Sequence, residues 1–117
     1  MNSEIALEEG LYYRQTLFDK AKRVVVKVGS AILTGKDGLN HQVVANLVQE
    51  IAFLHNSGRE VILVSSGAVA AGKRKVRFPD DRDLTIREKQ ALAAIGQSRL
   101  MHDYDEAFGE HGKNIAQ

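Results

Sequence analysis

The chain of 117 residues is 44% hydrophobic and 26% charged with a formal net charge of +1, which fits an ordinary folded domain and excludes a disordered chain or a partner held by net charge alone. It contains no cysteine, so a disulfide scaffold, a Cys-ligated zinc site and a thiol nucleophile are excluded. No apolar run approaches the roughly 20 residues of a membrane helix, and "MNSEIALEEG" carries acids where an export signal is basic, so the sequence reads as cytoplasmic.

Residues 1–22 read as an N-terminal extension in which Leu7, Leu11 and Phe18 recur at loose helical spacing across Gly10, predicting a weak helix within 7–21. "RVVVKV", 23–28, is Val-dense and ends at Gly29, as a buried strand does. "GSAILTGKDGLN" then reads as a loop. Asn40 is a good N-cap, and Val43, Val44, Leu47, Val48, Ile51 and Leu54 follow at helical spacing until Gly58, which suits the residue just past a helix end. A second apolar strand is predicted over 60–64. Strand, helix and strand joined this tightly predict a βαβ unit with parallel strands and a right-handed crossover.

"SSGAVAAGKRK" turns directly into a helix, and "VRFPDDRDL" reads as a polar loop. The "TIRE" of Thr85 and Glu88 matches a capping box. It opens a long helix to about residue 108, with Ala91, Leu92, Ile95, Leu100, Tyr104 and Phe108 expected along one side and Gly112 as a stop. "KNIAQ" is expected to begin a third strand. The fold class is α/β. Since two strands and a stub cannot close a parallel sheet, 23–117 is expected to be the first part of a larger domain.

Ligands of open α/β sheets bind beyond the carboxyl ends of the strands. Here those ends carry "KVGSAILTG" and "VSSGAVAAG", glycine-rich stretches that let backbone approach a ligand. Neither is a P-loop nor a G-x-G-x-x-G fingerprint. Lys27, at a strand terminus beside open backbone N–H groups, can neutralise a phosphate; taken alone, it reads rather as a lysine snorkelling to water. Ser65, Ser66 and Gly67, at a strand-to-helix junction, can form an anion site; taken alone, they read as a cap and a packing glycine. Adjacent parallel strands put both motifs on one edge, and together they favour an anion site.

Elsewhere the chemistry is thinner. "GKRKVR", followed by Asp80, Asp81 and Asp83, reads as a solvated loop rather than a nucleic-acid patch. His41, His55, His102 and His111 lack metal-ligand spacing and read as surface residues, so no metal ligand is assigned. The small residues of "KQALAAIGQSRLM" read as close helix packing.

"VVKVGSAILTG", "LNHQVVANLVQEIAFLHNSG", "VILVSSGAVAAG" and "KQALAAIGQSRLM", in this order and spacing, resemble the amino acid kinase family. The last of them is similar to the members that phosphorylate the side-chain carboxylate of glutamate, the first step towards proline. The resemblance covers about 23–117 and implies a three-layer α/β/α fold with a mainly parallel sheet, of which this is the N-terminal, amino-acid-binding portion, inactive by itself. It also implies ATP as phosphoryl donor, Mg²⁺ held mainly by phosphates and by residues outside this sequence, and glutamate as acceptor. By the same resemblance Lys27 is catalytic and phosphate-binding, Gly29 and Ser30 lie against the phosphoryl group, and Ser66, Gly67 and Ala68 contact the amino acid. Feedback by proline and homo-oligomer formation are implied by it alone. Another small-molecule kinase of the family, or a non-catalytic anion-binding module, remain the alternatives.

Overall fold

The computed structural model describes residues 2–35, 38–79 and 82–117. Helix α1 spans Asn2–Lys20, running unbroken through Gly10, and buries none of its residues. It is tied to the rest of the fold by Arg59, whose guanidinium stacks 4.7 Å from the centroid of the Phe18 ring and whose Nη2 donates to the Phe18 carbonyl.

Strand β1, Arg23–Val28, leads into a helical turn, α2, at Ser30–Leu33. Two short strands, β2 at Thr34–Gly35 and β3 at Gly38–Leu39, pair antiparallel. The stretch expected to be a loop therefore carries regular backbone pairing; Lys36 and Asp37 lie outside the described residues. Helix α3, His41–Asn56, begins where Asn40 Oδ1 accepts from the N–H groups of Gln42 and Val43. It ends at Ser57, with Gly58 beyond it at φ +92°, a left-handed conformation that glycine adopts without penalty.

Strand β4, Glu60–Ser65, pairs parallel with β1 in the register Arg23↔Glu60 to Val28↔Ser65. Helix α4, Ala68–Val76, follows at once. The basic run forms the last turn of this helix, as the helical reading of "SSGAVAAGKRK" expects and the solvated-loop reading of "GKRKVR" does not, and is closed by Arg77 at φ 53°; Asp80 and Asp81, named with that run, lie outside the described residues. Helix α5, Ile86–Gly109, opens with the capping box: Thr85 Oγ1 accepts from Glu88 N–H, and the Glu88 carboxylate accepts from Thr85 N–H.

The core lies between the inner face of the β1–β4 sheet and helices α3 and α5. Val28, Leu33, Val44, Val48, Ile51, Leu100, Tyr104 and Phe108 form it, with Val26, Val61 and Leu63 packed against them. Leu33, Leu100 and Val48 are fully enclosed, each worth about 1.5–3 kcal/mol of apolar burial. The α/β class with a parallel sheet is as the sequence predicts. On the other sheet face Val25, Ile62 and Val64 stand 61%, 47% and 47% exposed, so among the described residues the helices that fill the core cover one face.

Two expectations need correction. Residues 113–117 form no strand: Ile115 packs against the core, but the β1–β4 sheet has two strands among the described residues. Along α5, the buried face is Leu92, Gly96, Leu100, Tyr104 and Phe108, while Ala91 and Ile95 are exposed. The cause is the crossing with α4. A Cβ on Gly96 would overlap the Ala68 carbonyl and the Gly72 amide, and one on Gly72 would overlap the Leu92 carbonyl. The two helices meet backbone to backbone, and only glycine fits at either point.

Gly96→Ala is accordingly expected to cost about 3 kcal/mol and lower the melting temperature by roughly 10 °C. Gly10→Ala, where nothing lies within 4 Å, should instead raise helicity by circular dichroism without loss of stability. Hydrogen bonds from Arg82 and then from the Thr85 backbone lower the Glu88 pKa from 4.5 to about 2. A depressed carboxylate stabilises the fold fully above its unfolded value and loses that contribution as pH falls through the folded one. The melting-temperature gap between the native chain and Glu88→Gln should thus be widest at pH 5–7, shrink below about 4.5 and close near 2; a gap independent of pH would contradict it.

Candidate functional site

Strand alternation decides which way each residue at the sheet's carboxyl edge faces. Val24, Val26 and Val28 turn towards the helices, so Arg23, Val25 and Lys27 turn outwards and are exposed. Lys27 makes no ion pair or hydrogen bond among the described residues. Gly29 is extended, at φ −82° and ψ 158°, and the space where its Cβ would stand is open to 4 Å. Ser30 then starts the one-turn α2, held in place as Thr34 Oγ1 donates to the Ser30 carbonyl and Asn40 N–H donates to the Leu33 carbonyl. A cation and an accessible stretch of backbone therefore lie side by side.

Across the pair, Ser66 N–H donates to the Val28 carbonyl at 2.9 Å, extending the parallel ladder one step beyond β4. This bond joins the two glycine turns that the sequence marks. Ser66 is exposed, Gly67 buried and Ala68 half-buried. Gly67 sits at φ +112° and ψ −5°, reversing the chain so that α4 starts immediately and Ala71 N–H reaches the Gly67 carbonyl. The positive end of α4, nine residues long, therefore opens beside Ser66.

The six residues singled out as site residues, Lys27, Gly29, Ser30, Ser66, Gly67 and Ala68, thus fall at the adjoining ends of β1 and β4. What they offer is one ammonium, backbone donors, hydroxyls and a helix terminus, a set suited to an anion. No group of three or more His, Asp or Glu side chains able to hold a metal occurs among the described residues. The four histidines are exposed; His55 pairs with Lys113 and His102 with Glu106.

One polar contact was not visible to sequence reasoning. Ser65 faces inwards, and its Oγ lies 2.7 Å from the Tyr104 hydroxyl and 2.8 Å from the Ser66 carbonyl. Burial pushes the Tyr104 phenol above its ordinary pKa, partly opposed by the Ser65 bond. The two-residue period of β4, continued to Ser65, would have placed it on the face of Val61 and Leu63, but nothing local links it to a residue 39 positions on.

The profile of the amino acid kinase family matches residues 22–117. A curated relative named glutamate 5-kinase, from Desulfotalea psychrophila, is 59% identical over 104 residues, covering 89% of this chain and 28% of the relative. One from Geobacter metallireducens is 52% identical over 105 residues, with the same two shares. A third, from Thermus thermophilus, is 52% identical over 97 residues, 83% of this chain and 26% of its own length. The chain thus spans little more than a quarter of the relatives it matches.

A Cβ on Gly67 would meet the side chains of Leu39, Leu100 and Leu33 at 3.6–3.9 Å, which is ordinary contact. Gly67→Ala should therefore lose about 1–2 kcal/mol from its left-handed backbone rather than from crowding. Gly58→Ala, at φ +92° with nothing within 4 Å, should lose about as much in urea unfolding; a far larger loss at Gly67 would implicate packing.

Proposed function

Because the chain belongs to the amino acid kinase family, we propose that it is the N-terminal, amino-acid-binding portion of a glutamate 5-kinase, with residues 1–22 as an extension and 23–117 as part of the kinase domain. In this reading the side-chain carboxylate oxygen of glutamate attacks the γ-phosphorus of ATP. The bond to the β,γ-bridging oxygen breaks and ADP leaves, giving glutamyl 5-phosphate for proline biosynthesis. The observation that carries the proposal is the adjacency of the Lys27 and Ser66 turns on one sheet edge, in a chain 59% identical to a protein of that name.

The chemistry suits the groups present. A glutamate carboxylate, with a pKa near about 4.3, is ionised at neutral pH, so no general base is needed. Positioning and neutralisation remain. Lys27 is outward-facing and unpaired among the described residues, so it can follow the charge of the transferring phosphoryl group, while the open backbone at Gly29 and Ser30 lies against it. Ser66, with the backbone of Gly67 and Ala68 at the start of α4, holds the amino acid. Mg²⁺, when bound, supplies further neutralisation of the phosphates, which would carry it together with groups outside this chain.

No described helix is long and apolar enough to cross a membrane. Glutamate and ATP meet in the cytoplasm, where this reading puts the protein. Feedback by proline and homo-oligomer formation belong to the same reading and rest on the family resemblance.

The test is hydroxylamine trapping of the acyl phosphate from glutamate and Mg-ATP. It is applied to this chain alone and to a chimera joining residues 1–117 to the C-terminal remainder of the D. psychrophila relative. Hydroxamate is expected from the chimera and not from the chain alone. Lys27→Ala in the chimera should lower kcat by about 10²–10³-fold with little change in glutamate KM. Equal losses in both would remove the role given to Lys27. An inactive chimera, with tight binding of glutamate by the chain alone, would favour an anion-binding module.

A further inference from the structure

We propose that Tyr104 is a positioning residue for the substrate turn: its buried hydroxyl acts through Ser65 to fix the Ser66–Gly67 peptide. The proposal rests on the reading of Ser66 and Gly67 as amino-acid contacts, and assigns Tyr104 and Ser65 a task beyond packing.

Proton supply sets the direction of the relay. Ser65 has one hydroxyl hydrogen, and its Oγ donates to the Ser66 carbonyl at 2.8 Å. Only lone pairs are then left to face Tyr104, so the phenol donates across the 2.7 Å contact. Tyr104 is 2% exposed, and its raised pKa keeps the phenol protonated as a donor. Two hydrogen bonds pointing the same way polarise each other.

The end of the relay falls where orientation matters. The Ser66 carbonyl and the Gly67 N–H belong to one planar trans peptide and point in opposite directions. Holding the oxygen towards Ser65 therefore aims the Gly67 N–H away from it. Glycine at φ +112° resists peptide rotation less than any other residue would, so the aim depends on hydrogen bonds. The flanks are secured independently, by Ser66 N–H on Val28 and by Ala71 N–H on the Gly67 carbonyl. The Ser65 bond secures the plane between them. Since Tyr104 is anchored by its ring in the α5 core, the position of the long helix is read out at the turn.

Two measurements separate this proposal from the functional reading on which it rests. In the ¹⁵N-labelled 117-residue chain, Tyr104→Phe and Ser65→Ala should both shift the amide resonances of Gly67 and Ala68, with Ser65→Thr near the native positions. In the chimera, Tyr104→Phe should raise glutamate KM about fivefold, the worth of one neutral hydrogen bond, with kcat and the KM for ATP changed less than twofold. The double variant should be no worse than Ser65→Ala alone, and Ser65→Thr should restore the native KM. Ser65→Ala is the smaller change and gives the same readouts if Tyr104→Phe does not fold. Unmoved Gly67 and Ala68 amides, or a lowered melting temperature with unchanged glutamate KM, would overturn the proposal and leave Tyr104 a packing residue. Shifted amides in a chimera whose native form phosphorylates no glutamate would overturn the functional reading and uphold the relay.

Discussion

The parallel pairing of β1 with β4 is the constraint on which the site depends. Two turns separated by more than thirty residues of sequence become neighbours because Arg23–Val28 and Glu60–Ser65 run in the same direction and in fixed register. The Ser66 to Val28 hydrogen bond carries that register past the end of β4, into the backbone that would meet a ligand. A shift of one residue would reverse the faces, sending Lys27 inwards and Val28 outwards. The inward valines, packed on α3 and α5, oppose such a slip. The hydrophobic core therefore decides which way the lysine points.

Helix α5 is the second support. Its capped start fixes where the helix begins, and its glycine contact with α4 fixes how closely the two approach. Since α4 starts one residue after Gly67, the Ser66–Gly67 turn is held from both sides, by the strand pair and by the helix pair. Leu100 and Leu33 lie beneath Gly67, within reach of an added Cβ, so the turn rests on the same side chains that fill the core.

Much of this was legible in the sequence because it rests on local signals. The Asn40 cap, the Thr85 and Glu88 capping box, the left-handed Gly58 and the valine-dense strands are written in neighbouring residues, and each appears where expected. Helix α2 was not legible, since a single turn offers no period to detect. "KNIAQ" looks like a strand, but strand formation needs a partner ladder that local composition does not supply. The buried face of α5 differs from the hydropathy pattern at Ala91 and Ile95 because its closest contact is Gly96, which such a pattern cannot register. The six residues proposed for the site lie on the edge that the βαβ reading implies. The Ser65–Tyr104 contact was hidden because it links two elements through hydroxyls that each look unremarkable alone.

The uncovered sheet face has a consequence for handling the protein. Val25, Ile62 and Val64 form an apolar strip on a sheet that has two strands among the described residues, with both outer edges unpaired among them. Beside β4 runs a groove of about 730 Å³, walled by Val61, Leu63, Tyr104 and the tail residues Asn114–Gln117, which among the described residues join no ladder. Such a surface is a template for strands from other molecules. Produced by itself at high concentration, the chain should grow by edge-to-edge association, with turbidity rising steeply with concentration, and short β-forming peptides should compete for the same edge.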